Sequence, residues 1–418
     1  MTGPRISALE ARVHPLGDAF DLLAAYRPPG GVFFERRGSG VAGAAGTPPS
    51  TFAAIEPSDL AHAVEVLRRA VRRRHDVGPV AVGSIAFTRG GVPQPELMIP
   101  RRAVRRGATG GTWRIDTSYG NGVAKDAPAF EPVVGRPPSD PFAPVQIREE
   151  PSAETYREAV REGRARIRKG RMRKVVLART VEVKADRAFD PRLLAHRLRA
   201  VDPDAYTFAA PTADGVIVGA SPELLVSRRG LEVRSNPLAG SAPRSGDPEE
   251  DRANAEALVG SAKDREEHAI VVEAVADTLR PLCAKLTFDP EPVLRETPNI
   301  WHLSTRFRGF LREPAPSALD LVAELHPTPA VAGTPRDIAL DTIAELEPFD
   351  RGRYAGPVGW VDADGDGEWA IALRCAELRG DRAILYAGAG IVADSDPARE
   401  LDETERKFRS FLDALRWG

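Results

Sequence analysis

Residues 224–235, "LLVSRRGLEVRS", are two short apolar-rich runs that reverse at Gly230. A reversal that tight closes an antiparallel pair, because parallel neighbours need a crossover of about a dozen residues or more. The sign recurs along the chain. Runs at 354–361 and 368–378 flank "DADGDG", and further β-like runs stand at 79–87, 95–99, 174–183, 205–210, 215–219, 293–297, 301–310 and 382–387. Helical periodicity falls between them. It is read at 57–76, where Leu60, Val64 and Leu67 share a stripe, and at 152–169, 190–200, 248–284, 317–325 and from 397 onward. Strand pairs with interspersed helices predict an α+β fold rather than a doubly wound parallel sheet.

Two irregular stretches punctuate the 418 residues. "GSGVAGAAGTPPS" (38–50) is a loop, and the proline-rich segment 126–152 separates residues 1–150 from a denser remainder, 151–418. Both parts are expected in one body. Hydrophobic residues make up 42% and charged residues 28%, with a formal net charge of −2. That balance predicts a soluble globular protein without the basic field that nucleic acid requires. No apolar run approaches the roughly eighteen residues of a membrane span. The first twenty residues lack the apolar core of a signal peptide, so the expected location is the cytoplasm. Cys283 and Cys375 are too few for a disulfide framework or a zinc site, and both are expected to be buried.

Two motifs mislead. "DADGDGEW" (362–369) mimics a calcium loop, but the twelfth position is Leu373 rather than a bidentate Glu, so a hairpin turn is expected. "AGAGIVAD" (387–394) lacks the third glycine of a dinucleotide fingerprint. Gly388 and Gly390 are read there as bare backbone beside a helix start, which suits an anion.

Acids in two helices carry the chemistry. Glu267 shares an apolar stripe with Ile270, Val271, Ala274 and Val275, and Asp264 lies one turn earlier. Glu400, Glu403 and Lys407 follow a cap at Asp396 and Pro397, beside Leu401, Phe408, Leu412 and Leu415. A carboxylate on an apolar face needs a partner. Either Lys263 or Arg265 pairs with the first two acids, or the four acids serve a cation. Oxygen-only ligands suit Mg²⁺.

Ten stretches then occur in order: "RKVVLART" (173–180), "GASPELL" (219–225), "NPLAGSAPR" (236–244), "KDREEH" (263–268), "WHLST" (301–305), "HPTPAVAG" (326–333), "ELEPFDRGRYAGPVGW" (345–360), "GEWAIALRCAEL" (367–378), "YAGAGIV" (386–392) and "ELDETERK" (400–407). Together they resemble the chorismate-utilising enzymes, and among them most closely the isochorismate synthases. The first 150 residues match weakly. The resemblance implies two antiparallel sheets packed as a sandwich, with helices outside and a cleft between. Its substrate would be chorismate. Water would attack ring C2, the double bonds would shift, and the C4 hydroxyl would leave. Mg²⁺ would hold the ring carboxylate through Glu267 and Glu403, with Asp264 and Glu400 holding metal-bound waters.

By the same resemblance Lys174 activates water and Glu223 protonates the departing hydroxyl. Arg374 grips the enolpyruvyl carboxylate, with help from Tyr354. Lys407 and the amides of Gly240, Ser241, Gly388 and Gly390 complete an anion pocket, and His302 lies near the ring. Read from the residues alone, Lys174 is a solvated strand lysine, Glu223 a turn acid and His302 a packed core histidine.

Within the family, ammonia-using members carry Lys at the Ala239 position or lack the lysine at 174. Lys174 together with Ala239 therefore points to water, with no glutamine amidotransferase subunit and a monomeric chain. Ala330 stands where salicylate synthases tend to carry Thr, whereas Tyr354 and Leu373 resemble what those enzymes carry. Isochorismate synthase, feeding menaquinone or catechol siderophore synthesis, is the expected function. The alternatives are a salicylate synthase, which eliminates pyruvate afterwards, and a catalytically silent chorismate-binding paralogue.

Overall fold

The structure, a computed structural model, describes residues 9–17, 20–44, 51–52, 64, 67, 77–88, 96–107, 110–119 and 144–416. Every strand pairing among them is antiparallel, in two large sheets and one small one. The first sheet runs in the order Leu9–Leu16, Thr112–Tyr119, Arg102–Arg106, Ser39–Ala44, Val32–Arg36, Tyr206–Pro211, Val216–Ser221, Cys375–Arg379, Arg382–Ile391, Lys174–Ala185 and Gly333–Thr334. Pro144–Glu150 pairs beside Lys174–Ala185. The second runs Cys283–Phe288, Phe307–Leu311, Glu232–Asn236, Leu224–Arg229, Gly367–Ile371, Pro357–Asp362, Val80–Ser84, Glu96–Met98 and Thr51–Phe52. A third holds Leu238–Pro243, Ile300–Ser304 and Val293–Glu296.

Alternation along the strands builds two cores. Phe34, Tyr206, Phe208 and Ile217 of the first sheet share one with Val82, Val226 and Trp369 of the second, which is the sandwich interior. The opposite face of the first sheet, with Val181, Val183, Val218 and Leu385, packs on two helices. The described helices, in order, are α1 (Ala153–Arg168), α2 (Pro191–Val201), α3 (Pro248–Gly260), α4 (Ala262–Leu279), α5 (Ala318–Leu325), α6 (Arg336–Leu346) and α7 (Pro397–Arg416). Leu193 and Leu198 of α2 and Phe408 and Phe411 of α7 close this outer core. The result is the expected α+β sandwich.

Several expectations need correction or restriction. The loop read at 38–50 begins as a strand, Ser39–Ala44. The run read at 301–310 is two strands, Ile300–Ser304 and Phe307–Leu311, in different sheets. The helix read across 248–284 is two helices. Ser261 leaves the helical region (φ −71°, ψ 112°) and its hydroxyl accepts from the Asp264 amide at 3.2 Å, capping α4. The chain then turns into the strand Cys283–Phe288. The strand read across 368–378 breaks at Ala372–Arg374 and changes sheets there. Gly388 and Gly390 are not beside a helix start but inside Arg382–Ile391, opposite Ala178 and Val176. The helix read at 57–76 lies outside the described residues, apart from Val64 and Leu67, which are helical and buried.

The acids of "DADGDG" serve the turn. Asp362 accepts from the amides of Asp364 and Asp366 at 3.0 Å and meets Arg105 at 3.0 Å, while Asp366 accepts from Arg228 at 2.9 Å. Both cysteines are free and buried. Among the described residues no helix is long and apolar enough to cross a membrane.

Candidate active site

Two of the chain's crossings between the large sheets lie side by side. Pro222 and Glu223 link Val216–Ser221 to Leu224–Arg229, and Ala372–Arg374 link Gly367–Ile371 to Cys375–Arg379. The flanking strands are ladder neighbours, Gly219 facing Cys375 and Leu224 facing Ala370. Where the strands part, a cleft opens. Arg374 sits at the second crossing with φ +49°, in the left-handed region that an L side chain enters at a cost.

Thirteen of the sixteen predicted residues line this cleft: Glu223, Gly240, Ser241, Glu267, His302, Ala330, Tyr354, Leu373, Arg374, Gly388, Gly390, Glu403 and Lys407. The other three stand just behind it. Lys174 is wholly buried, with Nζ 3.0 Å from Glu267 Oε1. The solvated-lysine reading is therefore overturned, because the strand lies inside the sandwich rather than at its rim. Asp264 backs onto Gly240, where an added Cβ would fall 3.1 Å from the Asp264 Cβ. Glu400 is buried and accepts from Lys263 at 2.7 Å. The partner that sequence offered to Asp264 thus goes to the other helix, and Arg265 turns outward to Glu291.

Two glycines are needed for the approach. Gly240 has φ +76°. A Cβ on Gly390 would lie 2.0 Å from Glu267 Oε1, so glycine there lets the carboxylate pass the strand to reach Lys174.

Burial sets the charges. Glu223 is lifted to about 7, mainly by desolvation, against the pull of Lys174 and Arg374. Burial and then the Glu403 charge lift Glu400 to about 7. Burial also works against Glu403, but Lys407, 2.5 Å away, holds it down to about 2. Lys407 donates as well to Gly388 O at 2.7 Å. Burial, with Arg374 and Lys407, keeps His302 well below the ordinary histidine range. Its Nε2 lies 3.1 Å from Arg374 Nη2 and its Nδ1 3.3 Å from Gly240 O. A guanidinium only donates, so Nε2 accepts and the proton resides on Nδ1.

Asp264, Glu267, Glu400 and Glu403 offer a hard, oxygen-only donor set on α4 and α7. Among the described residues no three such groups already converge as a cage. Negative charge is nonetheless crowded enough to raise Glu400, and a divalent cation would relieve that crowding, so the donor set fits one.

Sequence reasoning passed over His268 and the pair Arg351–Glu347. His268 Nε2 lies 2.7 Å from Thr305 Oγ1, and burial with the nearby Lys174 charge lowers it to about 4. Its place in "KDREEH" was the available signal.

A cleft built at two sheet crossings, and lined by Arg374 and Lys407 as well as by buried carboxyls, suits a small anion. The model of the family described as chorismate binding enzyme matches residues 129–416, and the chain belongs to that family. Within it, the chain is similar to isochorismate synthase DhbC of Bacillus subtilis (strain 168), with 48% identity over 276 residues, 64% of this chain and 69% of the relative. Isochorismate synthase EntC of Escherichia coli (strain K12) is 43% identical over 266 residues, 63% of this chain and 68% of that one. The solved structure of MenF, the menaquinone-specific isochorismate synthase from Escherichia coli, has a TM-score of 0.83 and 25% identity, over 99% of this chain and 96% of that chain.

Proposed function

We propose that this chain is an isochorismate synthase, converting chorismate to isochorismate in the cleft. The observation that carries the reading is Glu223, a fully buried carboxyl held near neutrality in a cation-lined cleft. Such a group can carry a proton at working pH and give it up on demand. Lys174, on the strand Lys174–Ala185, takes a proton from water as its oxygen bonds to ring C2. The ring double bonds shift and the C4–O bond breaks. Glu223 gives its proton to the departing hydroxyl, so one water enters and one leaves.

Arg374, held by neutral His302, grips the enolpyruvyl carboxylate with Tyr354 beside it. Lys407 adds positive charge to the anion pocket. Glu267 and Glu403 would hold Mg²⁺ directly, and Asp264 and Glu400 through water. Mg²⁺ bound there would supply positive charge for the ring carboxylate. The product would enter menaquinone or catechol siderophore synthesis. The chain is read as acting without an amidotransferase subunit, because water is its nucleophile, and as a monomer.

The test is incubation of the purified chain with chorismate and Mg²⁺, followed by product chromatography. Isochorismate as the main product is expected. No reaction, or salicylate as the main product, would refute the reading.

A further inference from the structure

The strand that carries Lys174 has a gap along one edge. From Val175 to Lys184 its inner edge pairs continuously with Arg382–Ile391. Its outer edge pairs with Gly333–Thr334 at residues 174–175 and with Pro144–Glu150 from Thr180 onward. Between these, the Val176 amide reaches Ala332 O at 2.8 Å. The next two polar groups are met by side chains rather than by a strand. The Ala178 amide donates to Glu347 Oε1 at 2.7 Å, and Arg351 Nη2 donates to Val176 O at 2.8 Å.

Arg351 is joined to the same carboxylate, Nε to Oε2 at 2.8 Å and Nη2 to Oε1 at 2.5 Å. Its Nη1 donates to Val331 O at 2.8 Å. Both side chains are 3% exposed. Tyr354 follows in a turn closed by its amide on Arg351 O at 2.8 Å, and the guanidinium carbon lies 5.9 Å from the Tyr354 ring. One guanidinium therefore touches three separate walls of the cleft, at Val176, Val331 and Tyr354.

We propose that Arg351 and Glu347 are positioning residues for the reaction, standing in for a missing strand and fixing the Lys174 strand against the Val331 and Tyr354 walls. The proposal rests on the isochorismate synthase reading for the reaction it serves. Stability alone is a weak reason for such a pair, since buried ion pairs are often replaceable by apolar side chains at no loss. What apolar side chains cannot do here is bond Val176 O, Ala178 N and Val331 O together. A shift of about 1 Å at the reacting groups can cost on the order of a hundredfold in rate.

The experiment uses Glu347→Gln and Arg351→Lys, which keep most of the volume and hydrogen-bonding capacity. Val183→Ala, in the core on the other face of the same sheet, is the control for lost stability. Each variant is assayed for kcat, for KM with chorismate, for Tm, and for hydrogen exchange in peptides covering 174–180. Expected are a kcat lower by about ten- to a hundredfold, a smaller change in KM, and faster exchange around Ala178. Val183→Ala should lower Tm while keeping kcat. Unchanged kcat in both pair variants, or a loss carried entirely by KM, would overturn the proposal. So would an equal kcat loss in Val183→Ala. Failure of the functional reading shows separately, as absence of isochorismate from the wild-type chain.

Discussion

Glu223 binds its proton more tightly in the folded chain than in the unfolded one, about 7 against an ordinary 4.5. Between those values the native state keeps a proton that the unfolded state has released, so stability falls as pH rises through that window. The same shift predicts activity. Turnover should decline as pH rises through about 7, because the leaving hydroxyl then lacks its acid. Glu223→Gln should lower kcat by roughly 10²- to 10⁴-fold and remove that limb from the pH–rate profile. Glu267→Ala and Glu403→Ala should each abolish turnover with circular dichroism unchanged, and a chelator should do so reversibly, with Mg²⁺ restoring activity. Full turnover in chelator would refute the ligand assignment. The Tyr354 ring is stacked on Tyr386 at 5.1 Å, so its hydroxyl is held fixed at the cleft wall. Tyr354 and Leu373 both line the cleft and resemble what salicylate synthases carry, so a minor salicylate by-product is expected. It should fall in the Tyr354→Phe, Leu373→Ile double variant and rise in Ala330→Thr, read as the salicylate-to-isochorismate ratio against enzyme-free controls. At this scale the sequence was informative wherever a residue's own helix or strand face decided its surroundings, as for Glu267. It was silent where a partner comes from far along the chain. Lys263 meeting Glu400, and Arg351 meeting Val176 O, follow from the packing of separate elements, which periodicity does not contain.

Elements were legible in kind and less so in their interruptions. The periodic pattern of 248–284 runs through Ser261 because both helices keep apolar residues facing the same sheet. Only the cap reveals the break. Ser261→Ala should cost about 1 kcal/mol, read as a lowered denaturation midpoint. It should also free the Asp264 carboxylate, which otherwise bonds the Ser261 hydroxyl. The alternation of 368–378 likewise hides the left-handed turn at Arg374, since a positive φ on a non-glycine residue is imposed by the crossing between sheets. Gly388 and Gly390 read as bare backbone beside a helix start. They are small because Tyr354 Oη and the Glu267 carboxylate press against their strand.

The proline-rich stretch at 126–152 is plain in the sequence, yet the sheets run across it. Phe33, Phe34 and Glu35 pair with Ala209, Phe208 and Thr207, and Val80–Ser84 pairs with Pro357–Asp362. A chain cut to residues 151–418 would bare three strand edges, since Lys174–Ala185 loses Pro144–Glu150 as well, and bare edges invite pairing with other copies. It should be recovered as aggregate, and a soluble, cooperatively melting fragment would contradict this. Cleft-lining residues are drawn from Val176 through Lys407, and α7, the last described element in chain order, contributes Glu403 and Lys407, with Glu400 just behind them. Pairings over such separations form slowly, since loop closure precedes any contact energy. Timing follows from this. In refolding from denaturant, far-ultraviolet dichroism should recover well before turnover does, and a nascent chain has no working cleft until α7 has been synthesised and docked.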